Sequence, residues 1–165
     1  MRLYIVRHAI AVPHGSPGLA EDDRPLTPEG IKKMEEAAAG LKKLDAAPDI
    51  VLSSPLPRAR QTAEIVLKGI KSKSPLETIP SLAPSGRRSD VYKEIRAYKG
   101  ADAVMLVGHQ PSLGEIAGEI AWGSAECYIE LKKGGACAID IEEISPLPRG
   151  TLLWLLTPSI LRFLG

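Results

Sequence analysis

LYIVRHA at residues 3–9 combines a short strand with an arginine–histidine pair. Its first four residues favour a strand, and the run is almost wholly apolar, as in a parallel strand covered on both faces. Ligand sites in open α/β sheets lie just beyond the carboxyl ends of such strands, where Arg7 and His8 stand. Taken alone, the stretch fits equally well a strand that leaves the core and meets solvent with two polar residues.

The remaining sequence alternates predicted strands and helices as far as about residue 122. Further strands are predicted at residues 50–53, 76–79 and 103–107, and helices at residues 28–44, 57–69, 90–99 and 113–122, with Thr27 and Ser112 as N-caps. Two more strands, at residues 136–141 and 152–156, flank a connection at residues 144–150 that is typical of a hairpin. The pattern predicts a three-layer α/β/α sandwich with a mainly parallel central sheet and an antiparallel C-terminal part.

Composition and charge exclude several classes of function. The length of 165 residues predicts one domain over residues 1–165, and the net charge of +1 gives no overall attraction to nucleic acid or acidic membranes. No apolar run reaches about 18 residues, so we expect no membrane segment. No signal peptide is recognisable, and Cys127 and Cys137 do not form a redox or zinc motif. These features predict a cytoplasmic protein.

Three strand-to-helix junctions each carry a basic or imidazole group. Arg7 and His8 follow the first strand, Arg58 begins the helix after the second, and His109 follows the strand at residues 103–107. Because these junctions share one edge of a parallel sheet, we expect the four side chains to converge on an anion. Arginine offers paired donors that match a phosphoryl group, so the sequence predicts a phosphate site.

His8 is the predicted nucleophile at this site. A neutral imidazole can attack phosphorus, and the neighbouring arginines are expected to lower its pKa and keep it neutral. Its other ring nitrogen then requires an acceptor, for which we expect a backbone carbonyl. The product of attack is a phosphohistidine that water hydrolyses to inorganic phosphate.

The same segments resemble those of the histidine phosphatase superfamily, also called phosphoglycerate mutase-like. The matching blocks are LYIVRHA (residues 3–9), LTPEG (26–30), SSPLPRARQTA (53–63) and VGHQP (107–111). The short chain, Ala9 after the histidine, and DRPLT at residues 23–27 resemble the SixA-type phosphohistidine phosphatase branch. The resemblance implies a phosphoglycerate mutase-like fold, His8 as phosphoacceptor, and a phosphate pocket of Arg7, Arg58 and His109.

One departure from the larger members of this family bears on the substrate. They carry an acidic residue after the third strand that protonates an alkoxide leaving group, whereas residues 82–86 here contain no carboxylate. An imidazole leaving group is less basic than an alkoxide and needs less acid assistance. The gap therefore argues against a mutase and favours a phosphohistidine substrate, with Asp22 or Asp23 as a candidate proton donor.

We therefore predict a cofactor-independent phosphatase acting on a phosphohistidine protein. The alternatives are a phosphatase for small phosphomonoesters and a phosphate-binding module without catalysis. A metal site is disfavoured because His8 and His109 lack a neighbouring set of carboxylates. Arg24 is predicted either to bind substrate at the pocket entrance or to pair with the acidic residues beside it.

Overall fold

A six-stranded sheet forms the centre of the protein in a computed structural model that describes residues 1–124, 126–145 and 147–165. The strands are β1 (Arg2–Arg7), β2 (Ile50–Ser53), β3 (Leu76–Thr78), β4 (Ala103–Gly108), β5 (Ala136–Glu143) and β6 (Arg149–Leu156). The α-helices are α1 (Pro28–Lys43), α2 (Pro57–Gly69), α3 (Arg88–Ala97), α4 (Ser112–Trp122) and α5 (Pro158–Leu164).

The strand order in the sheet is β3-β2-β4-β1-β5-β6. The first four strands in this order run parallel, whereas β5 is antiparallel to β1 and β6 is antiparallel to β5. In the centre, Ile5 of β1 pairs with Leu106 of β4 on one side and with Cys137 of β5 on the other. This topology confirms the predicted parallel sheet with an antiparallel C-terminal part.

Each face of the sheet is covered by helices, so the predicted three layers are confirmed. Successive residues of β1 point to opposite faces, as the two-residue period of a strand requires. Ile5 joins the core cluster that contains Leu113 of α4, while Val6 joins the cluster that contains Met34 of α1 and Leu161 of α5. The central strands β1 and β4 are thereby buried on both faces, and their carboxyl ends are held at fixed positions.

One predicted helix cap is confirmed and the other is wrong. The Gly30 N–H donates to the Thr27 hydroxyl at 2.9 Å, which satisfies a free amide in the first turn of α1. Helix α4 begins at Ser112 itself, with Pro111 before it as the N-cap. The Ser112 hydroxyl is buried with no partner among the described residues.

The C-terminal part differs most from the sequence prediction. Strands β5 and β6 are each longer than predicted, and Pro146 of the predicted connection lies outside the described residues. Helix α5 was not predicted, although Thr157 and Pro158 at its start repeat the cap signal of α1; its seven residues are too few to show a helical period. It packs along α1. In the described part of the chain, no helix is long and apolar enough to cross a membrane.

Candidate active site

The carboxyl ends of β1, β2 and β4 meet at one edge of the sheet. Backbone hydrogen bonds join them there, from His8 N–H to the Gly108 carbonyl at 3.0 Å and from Ser54 N–H to the Val107 carbonyl at 2.9 Å. The imidazole rings of His8 and His109, which follow β1 and β4, consequently lie with their centroids 5.0 Å apart. Both rings are buried.

The orientation of the His8 ring is set by the next residue. Ring Nδ1 lies 2.7 Å from the carbonyl oxygen of Ala9, and since that oxygen only accepts, Nδ1 carries the proton. Nε2 therefore carries the lone pair and is the ring atom that can attack phosphorus. The Ala9 carbonyl is thus the backbone acceptor that was predicted from the sequence.

His8 is neutral at physiological pH, although the main cause differs from the predicted one. Its pKa is lowered to about 4, chiefly because burial penalises the imidazolium. The hydrogen bond to Ala9 opposes this shift, and the charges of Arg58 and Arg7 add to it. The predicted effect of the arginines is confirmed, whereas the larger effect of burial was not predicted, because it depends on tertiary packing around the ring.

His109 is held by a hydroxyl from the neighbouring strand end. Its Nε2 lies within hydrogen-bond distance of the Ser54 Oγ, at 2.8 Å, and the same oxygen accepts a hydrogen bond from the Leu56 N–H at 3.3 Å. Burial, followed by the electrostatic effects of His8 and Arg58, lowers the pKa of His109 to about 3. The second imidazole is therefore also neutral at physiological pH.

Three arginines at this edge each donate a hydrogen bond to a backbone carbonyl, and each guanidinium has further N–H donors. The anchoring bonds are Arg7 Nη1 to Leu131 at 2.7 Å, Arg58 Nη1 to Glu21 at 3.0 Å, and Arg24 Nη1 to Val12 at 2.6 Å. In all three, Nε is buried without a partner in the described part of the chain. The Nη groups of arginine form paired donors whose geometry matches the oxygens of a phosphoryl group.

These groups line one cavity of about 280 Å³, which we call the phosphate cavity. It brings together all five predicted site residues with four others; the lining is Arg7, His8, Glu21, Arg24, Arg58, Pro84, His109, Gln110 and Lys133. Of the two alternatives for Arg24, the ion pair with an acidic neighbour is confirmed, since Arg24 pairs with Glu21, while substrate binding by Arg24 stays a prediction. Pro84 belongs to the segment that lacks a carboxylate.

Glu21 supplies the carboxylate of the cavity, whereas the sequence analysis had singled out Asp22 and Asp23. The latter two are exposed and are not part of the cavity lining. Glu21 begins a short 3-10 helix, Glu21–Asp23, in the long loop after β1. Which of the three acidic residues lines the cavity depends on the conformation of the loop, and the sequence of the acidic run does not specify that conformation.

The Glu21 carboxylate is ionised and lies beside two arginines. It contacts Arg24 and His14, and it lies 3.8 Å from Arg58 Nη2. The hydrogen bonds from Arg24 and His14 lower its pKa to about 2. In this state the Glu21 carboxylate accepts hydrogen bonds and pairs with guanidinium groups. It has no proton to donate at neutral pH.

Lys133 was missed by the sequence analysis, although the sequence contains a signal for it. It belongs to the run Lys132–Gly135 immediately before β5. Since β5 is antiparallel to β1, the start of β5 lies beside the end of β1, and the Gly134 N–H donates to the carbonyls of Arg7 and His8 at 3.1 Å each. A basic residue before an antiparallel strand should therefore have been assigned to the same edge.

Thr62 joins the segment after β1 to the helix that carries Arg58. The Ala9 N–H donates to Thr62 Oγ1 at 3.0 Å, and the Thr62 hydroxyl donates to the Arg58 carbonyl at 2.7 Å. A threonine four residues after Arg58 is placed for that second bond in any α-helix. The first bond depends on the tertiary fold and could not be predicted.

The donor set at this edge suits an anion. Across the described residues, no group of three or more histidine, cysteine, aspartate or glutamate side chains is arranged to hold a metal ion. The cavity instead combines two neutral imidazoles with three guanidinium groups and one ammonium group. Such an arrangement can bind a dianion and present an imidazole lone pair to it.

Sequence comparison finds a family and several relatives that this chain resembles. The sequence profile of the histidine phosphatase superfamily (branch 1) matches residues 3–84. An uncharacterised protein of Picosynechococcus sp. is 41% identical over 138 residues, which is 82% of each chain. The phosphohistidine phosphatase SixA of Escherichia coli is 27% identical over 164 residues, covering 98% of this chain and 97% of that protein.

Solved structures share the fold over nearly the whole chain. The protein histidine phosphatase SixA complexed with tungstate has a TM-score of 0.85 at 28% identity, covering 98% of this chain and 99% of that one. The α-ribazole phosphatase of Shigella flexneri has a TM-score of 0.76 at 22% identity, covering 96% and 97% of the two chains. At 22% identity, the likeness to the α-ribazole phosphatase shows a common fold and nothing further.

Proposed function

This chain belongs to the histidine phosphatase superfamily and is a phosphatase of that superfamily, and on this basis we propose that it dephosphorylates protein phosphohistidine through a covalent phospho-His8 intermediate. The observation that carries the proposal is the His8 ring, which is buried and neutral with Nδ1 bonded to the Ala9 carbonyl. Its free Nε2 lone pair belongs to a ring in the same cavity as Arg7 and Arg58.

In the first step, Nε2 of His8 attacks phosphorus. A new P–N bond forms while the P–N bond to the substrate imidazole breaks, and its electron pair returns to the departing nitrogen, which takes a proton from solvent. The charge on the transferring oxygens is stabilised by guanidinium groups already in position, which is usually the largest contribution to such catalysis. Arg7 and Arg58 serve this role, and Arg24 binds the phosphoryl group at the rim.

In the second step, water attacks the phosphorus of phospho-His8. The P–Nε2 bond breaks, inorganic phosphate forms, and the electron pair returns to Nε2. His109 stays neutral and hydrogen-bonded to Ser54, so it adds no further positive charge beside His8. The cycle uses only side chains of this cavity and water.

The choice of phosphohistidine as substrate is supported by the leaving-group chemistry. Pro84 lines the cavity in the segment where an acid would stand, and the carboxylate of Glu21 is held ionised by Arg24 and His14. An imidazole departs with less help from an acid than an alkoxide does. The 27% identity with a phosphohistidine phosphatase over 98% of the chain agrees with this choice.

The test compares kcat/KM for a phosphohistidine protein and for para-nitrophenyl phosphate. We expect the phosphohistidine protein to be preferred at least about tenfold, a difference of about 1.4 kcal/mol in transition-state binding. Preference for the ester would instead indicate a small-molecule phosphomonoesterase. Binding of inorganic phosphate without turnover of either substrate would indicate a binding module.

A further inference from the structure

A second cavity, which we call the side cavity, adjoins the phosphate cavity. Its volume is about 140 Å³, and it lies between α1, α5 and the segment before β5. Lys133 lines both cavities, and Ala9 of the side cavity is bonded directly to His8. A peptide whose phosphoryl group lies at His8 can therefore place a neighbouring side chain in the side cavity.

The walls of the side cavity combine apolar surface with positive charge. Ile10, Met34 and Pro158 supply the apolar part. Lys33 of α1, Arg162 of α5 and Lys133 supply three cations, and within the described lining there is no acidic residue. A ligand with a short apolar stem and a carboxylate end matches both parts, as do the side chains of aspartate and glutamate.

The cations of the side cavity remain available to such a ligand. Lys33 contacts Glu29, and Arg162 Nε lies 3.7 Å from Glu36, but these glutamates are 64% and 46% exposed. Exposed pairs of this kind contribute little to stability, so an incoming carboxylate can join or replace them. Lys133 has no ion-pair partner in the described part of the molecule.

We propose that the side cavity is a substrate subsite that binds an acidic side chain lying close to the phosphohistidine in the phosphoprotein. This inference rests on the proposed function and adds the kind of surface that the enzyme recognises. The overall charge of the chain is only +1, so selection of an acidic partner depends on local groups such as these.

The experiment uses phosphohistidine peptides that carry one glutamate at each position from three before to three after the phosphohistidine, with glutamine at the same position as the reference. At one or more positions, the glutamate peptide should have a kcat/KM about tenfold higher, the equivalent of one favourable charge contact of about 1.4 kcal/mol. Equal turnover of every glutamate and glutamine pair would overturn the subsite.

Variants then locate the contact. Lys33→Met combined with Arg162→Met should abolish the preference for glutamate, while turnover of free phosphoramidate, which is too small to reach the side cavity, changes less than about twofold. Lys32→Met is the matched control, since Lys32 is the exposed neighbour on α1 and is not part of the cavity lining. An unchanged preference in the double variant would contradict the assignment.

Charge reversal guards against a purely structural effect. Lys33→Glu combined with Arg162→Glu should prefer a lysine peptide over a glutamate peptide, which a merely destabilised protein would not do. Failure of wild-type protein to hydrolyse any phosphohistidine peptide would remove the proposed function and this subsite with it. Hydrolysis without preference for an acidic residue would remove the subsite alone.

Discussion

Ser54 and His109 are 55 residues apart in the sequence, yet the Ser54 hydroxyl lies 2.8 Å from Nε2 of the His109 ring. The contact joins the ends of β2 and β4, because each residue directly follows its strand. Both side chains are buried, so the bulk solvent competes little for this contact. The orientation of the second imidazole therefore depends on this hydroxyl.

Removing the Ser54 hydroxyl should weaken catalysis. Ser54→Ala leaves Nε2 of a buried ring without its partner, and we expect kcat/KM to fall by about tenfold, the size of one buried hydrogen bond. Ser53→Ala is the control, because the Ser53 hydroxyl donates to the Ser54 carbonyl and has no bond to His109. Equal kcat/KM values for the two variants would show that the Ser54–His109 bond has no catalytic role.

The sequence predicted the central residues of the cavity because topology alone positions them. Arg7, His8 and His109 directly follow parallel strands, and Arg58 lies in the first turn of the helix after β2, so recognition of the strands was sufficient. Lys133 needed one further step, the inference that the start of an antiparallel strand lies at the same edge.

Other features depend on tertiary contacts that no local pattern specifies. Glu21 enters the cavity because the loop after β1 is fixed by bonds such as that from Arg58 to the Glu21 carbonyl. The low pKa of His8 arises mainly from burial, which follows from packing. Helix α5 does have a local start signal, since Thr157 caps it and Pro158 is its first residue, but at seven residues it depends on its contacts with α1 for stability.

Replacing Arg58 should have a larger effect than replacing Ser54. Arg58→Ala removes a positioned guanidinium from the phosphate cavity, and we expect turnover to fall at least about a hundredfold. Arg60→Ala provides a matched control on the same helix, since Arg60 is 56% exposed and pairs with Glu64 at 3.6 Å. Steady-state kinetics on the phosphohistidine protein measures both; wild-type turnover in Arg58→Ala would exclude this residue from the phosphate site.

Glu21 should limit the affinity of the cavity for phosphate. Its carboxylate is bound to Arg24 and lies near Arg58, so it competes with phosphate oxygens for the same cations. Glu21→Gln keeps the size of the side chain and removes the charge, and we expect inorganic phosphate to bind roughly threefold more tightly, as for loss of one screened charge interaction. Calorimetric titration with phosphate measures the change, with Asp23→Asn as control. Weaker binding in Glu21→Gln would mean that the carboxylate mainly orients the arginines.

The acidic limb of the pH profile should lie well below the usual range for histidine. Because the pKa of His8 is lowered to about 4, the ring stays neutral, and able to attack, throughout the range above that value. We expect kcat/KM, corrected for ionisation of the substrate, to stay flat down to about pH 5 and to fall near pH 4. A corrected limb near pH 6.5 would show that burial does not perturb the ring.

The most direct measurement of the central claim is to trap the phosphoenzyme and locate its phosphoryl group. Rapid alkaline quenching after mixing with a phosphohistidine protein should yield a base-stable, acid-labile adduct on His8. Phosphorus NMR should assign it to Nε2, because Nδ1 is bonded to the Ala9 carbonyl. The adduct should persist in His14→Ala and be absent in His8→Ala. Full turnover by His8→Ala, or a phosphoryl group found on another residue, would contradict the account.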